Sequence, residues 1–349
     1  EGARLNTMGG RASGPQPLVK LHDFIRETMH NAQGRKLTTL EAHDICNQIA
    51  EIVVVGGVRR SSQISLSDLD DNDMRHAKEW PFPIKRAMAN NSAVFREKPS
   101  AADFLVEWGA LAKSGTGERG IFNLEAAQNR APARRYAPKI QGTNPCGEIM
   151  LRDMEFCNLS EVVIRADDDL DTLLDKVETA TWLGVIQATF TDFPYLRKEW
   201  KKNCDVERLL GVSLTGQMDN PSILTSECLK ALKSRVLRIS RKAADILDIN
   251  VPVATTCVKP SGTVSQLVDS ASGVHPRYSQ YYIRRYRISS RDPLFQMMKD
   301  AGIKATPEVG QDEATATTWV LEFPVKSPDG CITRKDVSAL DQLSHYKNL

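Results

Sequence analysis

The chain has 349 residues, of which 26% are charged and 41% hydrophobic, an ordinary composition for a soluble globular protein. Its 46 basic and 44 acidic residues give a formal net charge of +2, so bulk electrostatics does not favour a nucleic-acid partner. The apolar runs are too short to cross a bilayer, and the seven cysteines follow neither zinc nor secreted-disulfide spacing. We therefore expect a protein of the reducing cytoplasm, with no membrane partner and no protein-bound metal.

Helices and strands alternate along the first part of the chain. Apolar residues at helical spacing predict a helix over residues 15–29, and a capping box at Thr38 and Glu41 begins a second helix. A strand is expected over residues 63–67, and Ser100 begins a further helix. The residues expected on the inner faces of the second and third helices are Leu40, Ile45, Ile49 and Ile52, and Phe104, Leu105, Trp108 and Leu111.

The second part of the chain continues the alternation. Strands are predicted over residues 157–164, 210–216, 253–257, 281–288 and 318–325, and helices over 170–190 and from Ser226. Strands separated by helices of ten to twenty residues favour an α/β protein with largely parallel strands. Periodicity does not decide between an open sheet and a closed barrel. Because no change in composition marks a linker, we expect residues 1–349 to form a single domain.

A glycine–arginine segment follows the second helix. Gly56 and Gly57 precede Arg59 and Arg60 in the sequence Val-Val-Gly-Gly-Val-Arg-Arg-Ser. Glycines permit close backbone approach to a ligand, and guanidinium groups bind phosphates and bases in a forked geometry. Considered by itself, this pattern is more often a solvated turn before a strand.

A thiol, a carboxylate and an amide occur within five residues in the middle of the chain. The segment Thr-Asn-Pro-Cys-Gly-Glu-Ile contains Asn144, Cys146 and Glu148, and Pro and Gly between them predict a tight loop. Cys157 follows eleven residues after Cys146, which is too far for a Cys-x-x-Cys metal pair. Two cysteines beside an acid–base group indicate redox chemistry rather than metal binding.

A second loop contains hydroxyl groups and glycine. Lys-Pro-Ser-Gly-Thr-Val-Ser, with Ser261, Gly262 and Thr263 at its centre, can form an anion-binding turn of backbone N–H groups, although it is not a Walker A loop. Ser265 is the weaker candidate. His275, beside a proline, is expected to be structural.

The central motif carries a family resemblance. Asn-Pro-Cys-Gly-Glu-Ile, followed by Cys-Asn-Leu-Ser-Glu-Val-Val-Ile-Arg from Cys157, resembles the active-site loop of class II, adenosylcobalamin-dependent ribonucleotide reductases, in particular the ribonucleoside-triphosphate branch. The opening Gly-Gly-Arg-Ala-Ser-Gly-Pro, the glycine–arginine segment and the Pro-Ser-Gly-Thr loop occur in the family's order. The resemblance spans nearly the whole chain. It implies a ten-stranded α/β barrel with the cysteine loop as a central finger, lacking its first strand here.

The resemblance also implies roles for these residues. Cys146 becomes the transient thiyl radical, Glu148 is the general base at the 3′ hydroxyl, and Asn144 holds a ribose hydroxyl. Cys157 is one member of the reducing thiol pair. The loop of Ser261, Gly262 and Thr263 binds the substrate phosphates, and Arg59 and Arg60 belong to the loop that couples a deoxynucleotide effector to the substrate. These implied roles make a ribonucleoside triphosphate the substrate and thioredoxin or a similar dithiol the electron donor.

Two alternatives remain at this point. A class I large subunit acting on diphosphates usually has Asn-Leu-Cys where this chain has Asn-Pro-Cys, which is why adenosylcobalamin is the expected cofactor. The other alternative is a catalytically silent nucleotide-binding fragment. The chain is interpreted as an internal fragment, because it begins with Glu rather than Met and ends within a helix-like charged pattern. The partner of Cys157 and the C-terminal cysteines that relay electrons are expected outside it, so such a fragment should lack multiple turnover. The cysteines expected to be buried hydrophobes or incidental surface thiols are Cys46, Cys204, Cys228, Cys257 and Cys331.

Overall fold

The structure, a computed structural model, describes residues 3, 12, 14–55, 58–59, 61–290, 292–308, 311–314 and 316–349, with the backbone alone at 54, 55, 58 and 59. The chain divides into two units, one of Glu1–Glu125 with Tyr282–Val325 and one of Ala126–Tyr281 with Lys326–Leu349. Arg60 lies outside the described residues and the side chain of Arg59 is not described. Their expected role therefore stays a prediction.

The secondary structure within the described residues alternates as expected. The helices are α1 Gln16–Asn31, α2 Thr39–Glu51, α3 Asn72–Arg75, α4 Ala101–Ser114, α5 Leu124–Asn129, α6 Leu170–Gln187, α7 Lys198–Glu207, α8 Ser226–Leu247, α9 Thr263–Leu267, α10 Pro293–Asp300 and α11 Ala339–Asn348. The strands are β1 Val54–Val55, β2 Val58–Arg59, β3 Gln63–Ser67, β4 Ala89–Phe95, β5 Gly120–Asn123, β6 Gly142–Thr143, β7 Met150–Leu151, β8 Asn158–Val163, β9 Leu210–Thr215, β10 Tyr281–Ser289, β11 Ala305–Pro307 and β12 Thr318–Lys326.

The first unit contains a parallel and an antiparallel sheet. Strands β3, β4 and β5 are parallel neighbours, with Gln63 opposite Ala89 and Ser92 opposite Gly120. Strands β10, β12 and β11 form the other sheet, in which β11 and β12 are antiparallel. Phe295 of α10 packs with Trp319 and Leu321 of β12 to form its apolar core.

The prediction of which residues α2 and α4 bury is wrong. Helix α2 instead buries His43, Asp44 and Asn47, together with Ala50. His43 Nδ1 lies 2.7 Å from Ser65 Oγ of β3, and both oxygens of Asp44 accept hydrogen bonds from the Arg86 guanidinium. Each of these polar side chains has at least one partner there, which lowers the cost of burying it, although His43 Nε2 and Asn47 Nδ2 have none among the described residues.

Helix α4 shows the same inversion. Leu105 is 63% exposed, whereas Glu107 is buried and accepts hydrogen bonds from Arg75 at 2.8 Å and from Arg119 at 2.7 and 2.9 Å. A carboxylate held by two guanidinium groups can be buried, and no periodicity of apolar residues reveals it.

The second unit is organised by the parallel strands β8 and β9. Asn158 lies opposite Leu210 and the pairing continues to Val163 opposite Thr215. The next segment, residues 254–257, lies along the other side of β9: Leu210 N–H donates to Ala254 O at 3.0 Å and Cys257 N–H donates to Val212 O at 3.1 Å. The strand predicted over residues 253–257 therefore exists as a single bridge, Val212 to Thr256.

The helices α6 and α8 cover one face of these strands. Side chains alternate along a strand, so Val162 and Val212 face the helices and pack with Leu173 and Val177 of α6 and Val236 of α8. Leu159, Glu161, Gly211 and Cys257 lie on the opposite face. The candidate site is on that second face.

Helices α7 and α8 of this unit differ in how far the sequence predicts them. Helix α7 was not predicted, because its sequence Lys-Glu-Trp-Lys-Lys-Asn-Cys-Asp-Val-Glu is mostly polar, yet it buries Cys204 and Glu207. Helix α8 begins as predicted, with Thr225 as its N-cap. Among the described residues, no helix has both the length and the apolarity needed to span a membrane.

The packing of α6 on the strands gives a stability prediction. Leu173 of α6 is 0% exposed, whereas Leu183 of the same helix is 60% exposed. Leu173→Ala should lower the free energy of unfolding by about 3 kcal/mol, because it removes buried methyl groups and leaves a cavity. Leu183→Ala, the matched control, should change it by less than about 1 kcal/mol. Urea unfolding measures both, and equal losses would contradict the packing described.

Candidate active site

The Asn-Pro-Cys-Gly-Glu motif forms the tight loop of a hairpin. Strands β6 and β7 pair with Gly142 opposite Leu151 and Thr143 opposite Met150, and residues 144–149 between them are named here the finger loop. Asn144 N–H donates to Ile149 O at 3.1 Å, and Gly147, with φ of +85°, donates its N–H to Asn144 O at 2.9 Å. Gly147 takes a backbone conformation that other residues rarely adopt, so the predicted loop is confirmed.

Asn144 shapes the loop from within. Its Oδ1 accepts the backbone N–H of Ile149 at 3.0 Å. Its Nδ2 has no hydrogen-bond partner within the described part of the chain, so one end of the amide fixes the loop and the other end is open to a ligand.

Cys146 and Glu148 lie on the outer part of this loop. Cys146 is an exposed residue. Partial burial of its thiol and the charge of Glu148 raise the pKa of Cys146, while Lys259 opposes them. Glu148 Oε2 is buried and has no hydrogen-bond partner among the described residues. A buried carboxylate oxygen without a partner is costly unless a ligand supplies the donor.

The charge of Glu148 also acts on two further thiols, those of Cys157 and Cys257. Cys157 directly precedes β8, and burial together with the Glu148 charge raises its pKa to about 11. Burial, Glu148 and Cys157 raise the pKa of Cys257 to about 12. All three sulfurs are therefore thiols near neutral pH. This favours hydrogen-atom transfer over thiolate attack as their chemistry.

Gly211 of β9 lets the finger loop lie on the sheet. A Cβ atom at this position would come 2.5 Å from Leu159 Cδ2 and 2.9 Å from both Cys257 Sγ and Ile149 Cδ1. Ile149 belongs to the finger loop, Leu159 to β8 and Cys257 to the neighbouring segment. The finger loop, β8 and the segment of Cys257 thus pack together at Gly211, where there is no side chain.

Cys257 is not placed to form a disulfide with Cys157. Cys157 lies at the start of β8 and Cys257 lies on the far side of β9, so their backbones are two strand spacings, roughly 10 Å, apart. A disulfide requires Cα atoms within about 7 Å. The expected partner of Cys157 therefore stays unassigned.

The serine–glycine–threonine loop lies at the carboxyl end of β9. Gly273 N–H donates to Thr215 Oγ1 at 2.8 Å, and a Cβ on Gly273 would lie 3.1 Å from Lys259 O and 3.5 Å from Ser261 N. This close approach connects the loop to the sheet. The charge of Lys259 also acts on Cys146 and Cys257, so the two loops face a common region.

The three expected phosphate ligands differ in their availability. Ser261 is buried, and its hydroxyl accepts the N–H of Ser265 at 3.2 Å. Gly262 and Thr263 are exposed, and a Cβ on Gly262 would meet nothing within 4 Å. The buried serines thus fix the loop, while Gly262 and Thr263 offer open backbone and hydroxyl groups.

Sequence reasoning gave no role to Glu161, Gly211 or Lys259. Glu161 lies two residues after Leu159 on the same face, its Oε1 is buried without a partner in the described chain, and its charge contributes to the raised pKa of Cys257. The alternation of β8 could have identified Glu161, since Cys157 is four residues earlier. Nothing local distinguishes Gly211, because its contacts come from distant segments.

The chain is similar to known proteins over almost its whole length. No family model matches the chain. It is 31% identical to the adenosylcobalamin-dependent ribonucleoside-triphosphate reductase of Lactobacillus acidophilus and 32% identical to that of Levilactobacillus brevis, in each case over 93% of this chain and 47% of the relative. The chain thus spans about half the length of these curated relatives.

Solved structures give the same result. A crystal structure of a B12-dependent (class II) ribonucleotide reductase matches with a TM-score of 0.70 and 27% identity, over 93% of this chain and 48% of that one. The class Id ribonucleotide reductase alpha subunit of Actinobacillus ureae matches in fold, with a TM-score of 0.54 and 16% identity. The chain belongs to the ribonucleotide reductase family and has its fold. Within that family it belongs with the class II, adenosylcobalamin-dependent reductases, which confirms the resemblance of the cysteine motif.

The contact of the finger loop with Gly211 can be tested directly. Gly211→Ala should lower the free energy of unfolding by about 2 kcal/mol, because its new methyl group overlaps Leu159, Cys257 and Ile149. Cys257 should also react faster with iodoacetamide, as the finger loop lifts.

Gly109→Ala in α4 is the control, since a Cβ there meets nothing within 4 Å. It should leave the stability unchanged or raise it by up to about 1 kcal/mol. A Gly211→Ala protein as stable as the wild type would show that the loop does not rest on β9.

The effect of the Glu148 charge on three cysteines gives a second prediction. Glu148→Gln should lower the pKa of Cys146, Cys157 and Cys257 together, since the Glu148 charge raises each of them. More thiolate at pH 8 should increase alkylation of the three cysteines several-fold, at tenfold per pKa unit. Mass spectrometry measures each rate against Cys46, an exposed cysteine of the other unit. Unchanged rates would mean that Glu148 points away from the thiols.

Proposed function

We propose that this chain carries the reaction centre of a class II ribonucleotide reductase, which converts ribonucleoside triphosphates to 2′-deoxyribonucleoside triphosphates for DNA precursor synthesis in the cytoplasm. The observation that carries the proposal is the exposed Cys146 thiol beside a buried Glu148 oxygen that has no partner in the described chain. The names of the relatives support the substrate and the cofactor.

Cys146 supplies the radical step. The 3′ hydrogen of a ribose is not acidic, so an ordinary base cannot remove it, whereas a sulfur radical can, because S–H and activated C–H bonds are of similar strength. The raised pKa of Cys146 keeps a hydrogen on its sulfur in the resting protein. The Cys146 thiyl takes the 3′ hydrogen atom and returns one at the end of the reaction.

Glu148 and Asn144 act on the sugar hydroxyls. Glu148 Oε2 accepts the proton of the 3′ hydroxyl, which satisfies the buried oxygen. The open Nδ2 of Asn144 donates to a ribose hydroxyl while Oδ1 keeps the finger loop in shape. The 2′ hydroxyl then takes up a proton from one thiol of the reducing pair and leaves as water.

Cys157 supplies reducing equivalents. Replacing the 2′ hydroxyl by hydrogen consumes two electrons, which come from two thiols that become a disulfide. Cys157 is one of these thiols, and its burial keeps it protonated until it reacts. Its partner, and the dithiol donor of the thioredoxin type that reduces the disulfide, lie outside the residues assigned here.

The loop at the carboxyl end of β9 binds the phosphates. Ser261 fixes the loop, and Gly262 and Thr263 present a backbone N–H and a hydroxyl to the anion. The nucleotide then extends from the finger loop, which meets the sugar, towards the ends of the parallel strands.

Adenosylcobalamin fits the exposed position of Cys146. The thiol lies at the outer part of a loop rather than in the core, so a large cofactor can approach it. When bound, this cofactor supplies a radical able to take up a hydrogen atom from a thiol. Cys146 is the residue of this chain that would give up that hydrogen atom.

The remaining parts of the proposal concern architecture and regulation. We infer a single domain built as a ten-stranded α/β barrel around the finger loop, supported by the likeness to a class II reductase structure. Arg59 and Arg60 couple a deoxynucleotide effector to the substrate base.

The test uses the full polypeptide encoded around these residues, with a ribonucleoside triphosphate, adenosylcobalamin and a dithiol. Cys146→Ser should abolish deoxynucleotide formation, because a serine O–H bond is too strong to form the radical. Cys157→Ser should stop multiple turnover. Cys46→Ser, in the other unit, should leave activity unchanged. Chromatography of the nucleotides measures the product.

Three outcomes would overturn the proposal. Activity in Cys146→Ser would remove the radical role of that residue. An unmutated protein that binds the triphosphate but yields no product would identify a silent nucleotide-binding chain. Activity only with a metal-bearing second subunit would indicate a class I enzyme.

A further inference from the structure

A buried ionic network lies between the two parts of the site that carry the thiols. Residues 152–156 connect β7, at the base of the finger loop, to Cys157 at the start of β8. This connector contributes Arg152 and Glu155. Helix α7 contributes Glu207, and Arg135 comes from the segment before β6. Glu155 and Glu207 are named here the carboxyl pair.

The two carboxyl groups are held against the same nitrogen. Arg135 Nη2 lies 3.1 Å from Glu155 Oε2 and 2.8 Å from Glu207 Oε2. Arg152 Nε lies 3.2 Å from Glu155 Oε1, and its Nη1 lies 3.7 Å from Glu207 Oε1. The side chains of Glu155 and Glu207 are 0% and 5% exposed. Two carboxylates this close together in the protein interior repel each other, which favours keeping one proton between them.

The network is attached to both ends of the site. Arg135 Nη1 donates to Met150 O of β7 at 2.8 Å, which fixes the base of the finger loop. Arg152 Nη2 donates to Asn203 O at 2.8 Å, and Phe156 N–H donates to Cys204 Sγ at 3.4 Å. Phe156 is the residue before Cys157, so a change in the network reaches that thiol through one peptide unit.

Charge connects the carboxyl pair to Cys157 as well. Burial and the neighbouring Glu207 carboxyl raise the pKa of Glu155 to about 8, against the opposing effect of Arg152 and Arg135. The Glu155 charge is in turn one of the causes that raise the pKa of Cys157. The titratable and charged groups that face Glu155 are Arg135, Arg152, Cys157, Cys204 and Glu207.

We propose that Glu155 keeps a proton against the neighbouring Glu207 carboxyl near neutral pH and that the two residues act as a positioning pair, which holds the base of the finger loop and sets the reactivity of the Cys157 thiol by its charge. Neither residue touches the substrate. The proposal rests on the proposed function only in treating Cys157 as the reductant; the coupling itself is a property of the folded chain.

The sign of the effect follows from the charges. When this proton is lost, one negative charge is added beside Cys157, and this disfavours the thiolate. The rate at which Cys157 is alkylated should therefore rise less steeply with pH than that of an unrelated thiol. The ratio of the two rates should fall as pH passes through the titration of Glu155.

The experiment measures alkylation by iodoacetamide in the 349-residue chain from pH 6.5 to 9.5. Mass spectrometry gives the rate at Cys157 divided by the rate at exposed Cys46. In the wild type the ratio should fall about three- to tenfold, centred near pH 8. Glu155→Gln, which keeps the shape but cannot lose the proton, should show no such fall, and it sets the baseline against which the wild-type ratio is read at each pH.

Two further variants make the result decisive. Glu207→Gln removes the neighbouring carboxyl that keeps the proton on Glu155 and should also abolish the fall, which covers the case in which Glu155→Gln does not fold. Glu178→Gln breaks an ion pair with Arg235 between α6 and α8, away from the site, and should keep the wild-type fall.

A wild-type ratio that does not change with pH, or a fall that persists in both Glu155→Gln and Glu207→Gln, would overturn the proposal. A pair that is only structural would lower the unfolding midpoint in the variants without any pH step in the wild type. Because no nucleotide or cofactor is present, failure here is distinct from failure to form deoxynucleotide.

Discussion

The contact between the finger loop and Gly211 is the constraint on which the site depends. A loop of six residues has too few internal hydrogen bonds to hold three functional side chains in place alone. It gains its position by lying on β9, where Ile149 occupies the space that a side chain at Gly211 would fill. Since Leu159 and Cys257 converge on the same spot, the glycine determines how closely the finger loop, β8 and the segment after Val253 approach one another.

Burial and charge act together on the thiols around this contact. Desolvation is the largest cause of the raised pKa of Cys146, Cys157 and Cys257, and Glu148 adds to it in each case. A catalytic cysteine that works as a nucleophile needs the opposite environment, with a nearby cation and a lowered pKa. Within the described part of the chain, the cation that opposes the raised pKa of Cys146 is Lys259. The site is therefore suited to neutral S–H groups, as a hydrogen-atom mechanism requires.

The sequence predicts those parts of the molecule that local chemistry determines. Pro145 and Gly147 predict the tight loop. The capping box at Thr38 predicts the start of α2, and the sequence pattern also predicts the strands β8 and β9. The prediction of the inner faces of α2 and α4 was wrong, because Asp44 and Glu107 are buried in hydrogen bonds with arginines of other segments. Helix α7 was missed because its burial depends on Cys204 and Glu207 rather than on an apolar stripe. The role of Gly211 could not be predicted from its neighbours in sequence either, since its contacts come from three separate segments.

The arrangement of the connector explains why a buried ionic network is useful at this position. The finger loop and Cys157 must keep a fixed separation, yet only residues 152–156 join them along the chain, and Met154 there has a φ of +51°. An apolar cluster would stabilise such a short irregular segment without fixing its direction. Guanidinium groups that donate both to carboxylates and to the carbonyls of Met150 and Asn203 fix direction as well as distance. The cost is a pair of buried carboxyl groups side by side, and the charge of Glu155 acts on the Cys157 thiol.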